Sequence, residues 1–105
     1  MAETWIEIHY CGFYDRPLMF FTRVDNQLYL FSRDFDEEAD EYQDVFQIYK
    51  MPEMEIPPQS TPWAPLIENA LEVLGQVSVK EITFDPTYRQ LVSLESISTH
   101  LRMKP

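Results

Sequence analysis

Five of the eight prolines, Pro52, Pro57, Pro58, Pro62 and Pro65, crowd into one short stretch. Proline fixes φ and has no N–H to donate, so a segment this rich in it forms neither a helix interior nor a central strand. Residues 51–65 therefore read as a stiff connector with polyproline II character. It parts two unlike halves: twelve of the fifteen aromatic residues lie at or before Tyr49. A chain of 105 residues is the size of one domain. We therefore expect a single domain over 1–105, with a β-rich half at 1–50, the connector at 51–65, and a helix, a strand and a C-terminal segment within 66–105.

The first half alternates. Ile6, Ile8 and Tyr10 fall on one side of a strand over 4–10, and Trp5, Glu7 and His9 on the other. Phe13 to Pro17 reads as a turn. Residues 18–24 and 27–33 are two apolar, β-forming runs joined by Asp25-Asn26, a pair that tolerates positive φ and so signals a hairpin. On the first run Leu18, Phe20, Thr22 and Val24 oppose Met19, Phe21 and Arg23. On the second, Leu28 and Leu30 oppose Tyr29 and Phe31. Apolar side chains on both faces predict a sheet buried on both sides. Val45 to Lys50 alternates again and is a fourth strand.

Beyond the connector, Leu66, Ile67, Ala70, Leu71 and Leu74 make one helical stripe, with Glu68 and Glu72 opposite and Gly75 placed to end the helix. Val77 to Phe84 reads as a fifth strand with a phase break at Glu81. Asp85-Pro86 suggests a helical turn reaching Gln90. The tail fits either a short helix of Leu94, Ile97 and Leu101 capped by Ser93 or a strand in which Leu91, Ser93 and Glu95 oppose Val92, Leu94 and Ser96. We expect a strand near 90–94 with a helix after it. The expected fold is α+β: a small curved antiparallel sheet or partial barrel of about five strands, one packed helix and a short C-terminal helical segment. Leu66, Ile67, Ala70, Leu71 and Leu74 should bury against Phe20, Leu28, Leu30, Ile48 and Ile82. Leu71→Asp should then unfold the protein.

The net charge is −10, and most of it is local. Asp34, Asp36, Glu37, Glu38, Asp40, Glu41 and Asp44 set seven acids within eleven residues, leaving 11 acidic against 8 basic residues elsewhere. This balance argues against direct nucleic-acid binding, which needs a basic surface. The acidic segment fails as an EF-hand loop, with Ala39 where glycine belongs and Val45 where the bidentate glutamate belongs. It suits docking on a basic protein partner through Asp36, Glu37, Glu38, Asp40 and Glu41, with Tyr42 as an aromatic anchor. The plainer reading is a solvated surface segment.

One trio has chemical potential. Glu7, His9 and Cys11 alternate on a strand, so carboxylate, imidazole and thiol share a face: the inventory of a thiol nucleophile or, with His100, a partial metal site. Strand neighbours two apart are separated by almost 7 Å, long for a nucleophile–base hydrogen bond, and no glycine-rich oxyanion or phosphate loop accompanies them. With a single cysteine, no long apolar run and no signal-like segment, the expectation is a cytoplasmic, non-enzymatic interaction or inhibitor-type module. No cofactor, metal or membrane enters that expectation. The alternatives are a β module enclosing a small ligand between Phe20, Phe31 and Tyr49, and a thiol or metal site at Glu7-His9-Cys11.

Overall fold

The computed structural model describes residues 4–14, 16–33, 35–58, 60–61, 63–85 and 90–101. Its strands are β1 (Trp5–Glu7), β2 (His9–Tyr14), β3 (Arg16–Val24), β4 (Gln27–Ser32), β5 (Phe35–Asp36), β6 (Glu41–Tyr42), β7 (Val45–Met51), β8 (Glu72–Ser78) and β9 (Leu91–Ser93). A helix, α1 (Leu94–Leu101), follows β9. The protein is thus mostly antiparallel β-sheet with a short C-terminal helix. Five strands form the main sheet in the order β2-β3-β4-β7-β8, while β1 pairs with β9 and β5 with β6. The sheet stays open: no described strand joins β8 to β2.

Asp25 and Asn26 form the central turn, with φ of 53° and 67°. Two successive left-handed residues match the twist of the strands they join. The turn sets Val24 opposite Gln27 and Phe20 opposite Phe31, and Phe31 in turn faces Ile48 on β7. Alternation then sends neighbouring residues to opposite faces. Phe20, Phe31, Phe46 and Ile48 enter one core cluster, and Phe21, Leu28, Leu30 and Met51 enter another. In the first, Phe20 and Phe31 stack at 4.6 Å, and Phe46 meets Phe20 edge-on at 5.4 Å.

Each face has its own cover. The first is closed by Val79, Ile82, Phe84, Val92 and Ile97 from the C-terminal third, together with Ile8. The second is closed by the connector. Trp63 is buried edge-on to Phe21 at 5.1 Å, and its indole N–H donates to the Pro58 carbonyl at 3.2 Å. Met54, Ile56, Leu66, Ile67 and Ala70 pack beside it. The connector therefore lies over a sheet face.

The sequence-based helix at 66–74 does not form. Ala64–Asn69 is a 3₁₀ helix, the chain straightens at Ala70 (ψ 137°), and the Leu71 N–H donates to the Lys50 carbonyl at 2.7 Å as β8 begins along β7. The free edge of β7 supplies a ladder of hydrogen bonds, and Val73 and Val77 suit a pleated strand. A helix would also carry Gly75 in or at the end of its last turn. Instead Gly75, at φ 134°, lies at a register shift where Ile48 faces Gly75 but Tyr49 faces Val73. The apolar stripe is split: Leu66, Ile67 and Ala70 join the connector-side cluster, and Leu74 the other. Leu71 is 62% exposed and Val73 55%, so neither is core.

Other boundaries move as well. The fifth strand is β8, which ends at Ser78; the phase break near Glu81 is a 3₁₀ turn over Val79–Glu81, followed by a single bridge from Phe84 to Val92. The turn foreseen at Phe13 to Pro17 is tighter, since β2 reaches Tyr14 and β3 starts at Arg16. The helical turn after Asp85-Pro86 lies outside the described residues. The tail is strand then helix as expected. Ser93 Oγ accepts from the Ser96 N–H at 3.3 Å, capping α1, while the Thr4 N–H donates to Glu95 at 2.7 Å.

Two stability measurements check this packing. In urea, Phe20→Ala should lose about 3–5 kcal/mol, and Leu71→Asp should stay within about 0.5 kcal/mol of wild type. Unfolding by Leu71→Asp would restore the helix and remove β8.

Burial, and secondarily the Asp25 carboxylate, raise the Tyr29 phenol above its ordinary value. The native state then holds this proton more tightly than the unfolded chain. The associated stability is complete below the ordinary tyrosine pKa of about 10 and falls as pH rises beyond it toward the native value. Tyr29→Phe should flatten the alkaline loss seen in denaturation midpoints above about pH 10.

Candidate functional site

The acidic segment is built as a hairpin. Phe35 faces Tyr42 and Asp36 faces Glu41 across the two-residue strands β5 and β6, and residues 37–40 form the turn, with Asp40 at φ 55°. Asp tolerates the left-handed region better than most residues. Glu37, Glu38, Asp40 and Glu41 are exposed. For Asp36 and Tyr42 the structure gives the backbone pairing, and their side chains lie outside the described residues.

The hairpin is rooted in the sheet by Arg33, only 6% exposed. Its backbone N–H donates to the Leu18 carbonyl at 2.9 Å, and its Nε donates to the Gln43 carbonyl at 2.9 Å. Its guanidinium lies 3.8 Å from the Asp44 carboxylate, and the Asp44 carbonyl accepts from the Val79 N–H at 2.9 Å. A buried guanidinium needs such acceptors to offset its desolvation. Arg33 thus ties the return arm of the hairpin to the end of β4. The sequence signal was a lone base between an apolar strand and an acidic run, and the sequence reading passed over it.

The Glu7-His9-Cys11 face is arranged differently. Ile6, Ile8 and Tyr10 do pack against the first cluster, and Glu7 and His9 are exposed together on the other face. The strand changes neighbours between them: the Ile8 N–H donates to Gln90 on the β9 side at 2.8 Å, whereas the Glu7 carbonyl accepts from Thr22 Oγ1 on β3 at 3.0 Å. The Cys11 side chain lies outside the described residues. Among the described residues no three His, Cys, Asp or Glu side chains are placed to hold a metal ion.

Glu7 and His9 line a groove of about 970 Å³. One wall is the run Ile6 to Tyr10, and the other is Glu55 to Pro58, with Trp63 between them. Arg23 reaches the same groove, but its guanidinium is engaged by Glu53 at 2.6 Å and by the Met54 carbonyl at 3.3 Å. No role for Glu55 follows from the sequence, and Ile56 is expected there only to pack with Trp63 over a sheet edge, whereas both line the groove. Their part in a wall follows from the fold, since connector and strand lie far apart in sequence. The proposed ring of Phe20, Phe31 and Tyr49 around a ligand does not form, because the first two fill one cluster and Tyr49 packs on the other. Compared with protein-family models, curated proteins and solved structures, the chain matches none.

Arg33→Met keeps much of the volume and leaves the Gln43 carbonyl without its charged donor. It should cost about 1.5–3 kcal/mol. Amide exchange over residues 35–44 should quicken by about tenfold or more, while the Phe20 and Phe31 amides change no more than global stability requires.

Proposed function

We propose that this chain is a non-enzymatic protein-interaction module of inhibitor type, whose acidic hairpin meets a basic partner. The observation that supports this reading is the mounting of the acids: Glu37, Glu38, Asp40 and Glu41 are exposed around a turn whose base is anchored by the buried Arg33. A local field of one sign on a defined support speeds encounter with a complementary surface and penalises partners of like charge. Asp36 and Tyr42 complete the proposed contact from the two short strands. A surface that only kept the protein soluble needs charge but no anchored geometry.

The test is capture of partners from the source lysate by wild type and by a variant carrying Asp36→Asn, Glu37→Gln, Glu38→Gln, Asp40→Asn and Glu41→Gln, at low and high salt. A basic protein held by wild type, released by salt and absent from the variant is the expected result. Equal capture by both proteins, or none by either, leaves the acids as solvated surface and removes this reading. Four of the five substitutions, at Glu37, Glu38, Asp40 and Glu41, are at exposed positions, so the variant's urea midpoint should stay close to wild type.

A further inference from the structure

We infer that the groove between β1–β2 and the connector binds a short extended peptide segment with alternating apolar and basic residues. This surface is separate from the acidic hairpin. The hairpin springs from β4 and β7, where Ser32 faces Gln47, whereas the groove is lined by Ile6 to Tyr10, by Thr22 and Arg23 of β3 and by the connector, with no residue of the hairpin among them.

Shape selects an extended occupant. The groove runs beside five consecutive residues of near-continuous strand, Ile6 to Tyr10, and beside Glu55 to Pro58 of the connector. Five strand residues span roughly 16 Å, the length of a five-residue extended peptide. Its volume of about 970 Å³ lies at the upper end for small-molecule pockets, which run from roughly 300 to 1,000 Å³.

Charge selects the sign. The cation in the groove, Arg23, is already matched by Glu53 and by a backbone carbonyl. Glu7 on the strand and Glu55 on the opposite wall are both exposed carboxylates. A lysine or arginine reaching either wall gains a partner, whereas an acidic residue meets like charge. Beside these carboxylates Ile56, Trp63 and Leu91 supply apolar lining, which accounts for the alternation required of the peptide. The backbone of Pro57 and Pro58 donates no hydrogen bond, and the Pro58 carbonyl already accepts from the Trp63 indole and the Thr61 N–H, so this part of the wall offers shape.

The test uses the whole chain and three synthetic peptides: acetyl-Leu-Lys-Val-Lys-Leu-amide and its analogues with glutamine or glutamate in place of lysine. Binding is read by titration calorimetry and by backbone amide shifts. We expect the lysine peptide to bind and to move the amides of Glu7 to Tyr10 and Glu55 to Trp63. The glutamate peptide should not bind. Glu7→Gln with Glu55→Gln should weaken the lysine peptide by about tenfold, while the neutralised hairpin variant should keep both the affinity and the shift pattern. The inference is overturned if the lysine peptide does not bind, or moves only residues 36–42. It is also overturned if the glutamate peptide binds equally, or if the double variant binds as wild type does. Equal capture of a basic protein by wild type and the hairpin variant, or none by either, removes the hairpin reading and does not bear on this one. Unchanged urea midpoints for the exposed Glu7 and Glu55 substitutions exclude unfolding as a cause.

Discussion

The β3–β4 hairpin is apolar on both faces, and the rest of the fold answers that constraint. Phe20 and Phe31 point one way while Phe21, Leu28 and Leu30 point the other, all buried. A sheet open to water on one side needs one cover; this one needs two. The C-terminal third supplies the first, and Ile82, Phe84, Val92 and Ile97 close over the phenylalanine cluster. The proline-rich connector and the 3₁₀ helix that follows it supply the second, with Ile56, Trp63 and Leu66 bringing the apolar surface. Proline lowers the entropy lost when such a segment is pinned down, which suits an irregular cover.

The same constraint settles the fate of residues 66–78. Once the connector has crossed one face, the chain must reach the other to cover it. It does so along the exposed edge of β7, where a strand satisfies that edge's backbone groups. A helix at 66–74 would leave the edge of β7 open and put Leu74 on the face already covered by the connector. The register shift at Gly75 disturbs the regular ladder of the new outer strand, a feature that makes edge-to-edge pairing with another sheet harder.

What was legible in the sequence was local. The Asp25-Asn26 turn, the strands beside it, the face assignment of Ile6, Ile8 and Tyr10, and the Ser93 cap all follow from residue types a few positions apart. The misread elements were decided at long range. Nothing within residues 66–74 reports that β7 has a free edge, and a stripe of five apolar residues fits a helix as well as it fits two faces of a sheet. The candidate site divides in the same way. The acidic run was plain in the sequence, but its hairpin form depends on Arg33 meeting Gln43, and the groove depends on Glu55 being laid beside Glu7.

Both exposed surfaces lie at the margins of the packed sheet. The connector closes its face over β3, β4 and β7, and where it passes Arg23 it leaves Glu7 and His9 of the neighbouring strand in solvent. Between β4 and β7 the chain leaves the sheet beyond the buried Ser32 and Arg33 and turns back as the acidic hairpin. Buried carboxylates there would lose hydration with few cations to replace it, since the chain has only 8 basic residues. Exposure of the acids is therefore a condition of folding. The buried Arg33 adds a fixed base beneath them, so their placement is set by the sheet and the acidic turn is carried on an anchored mount.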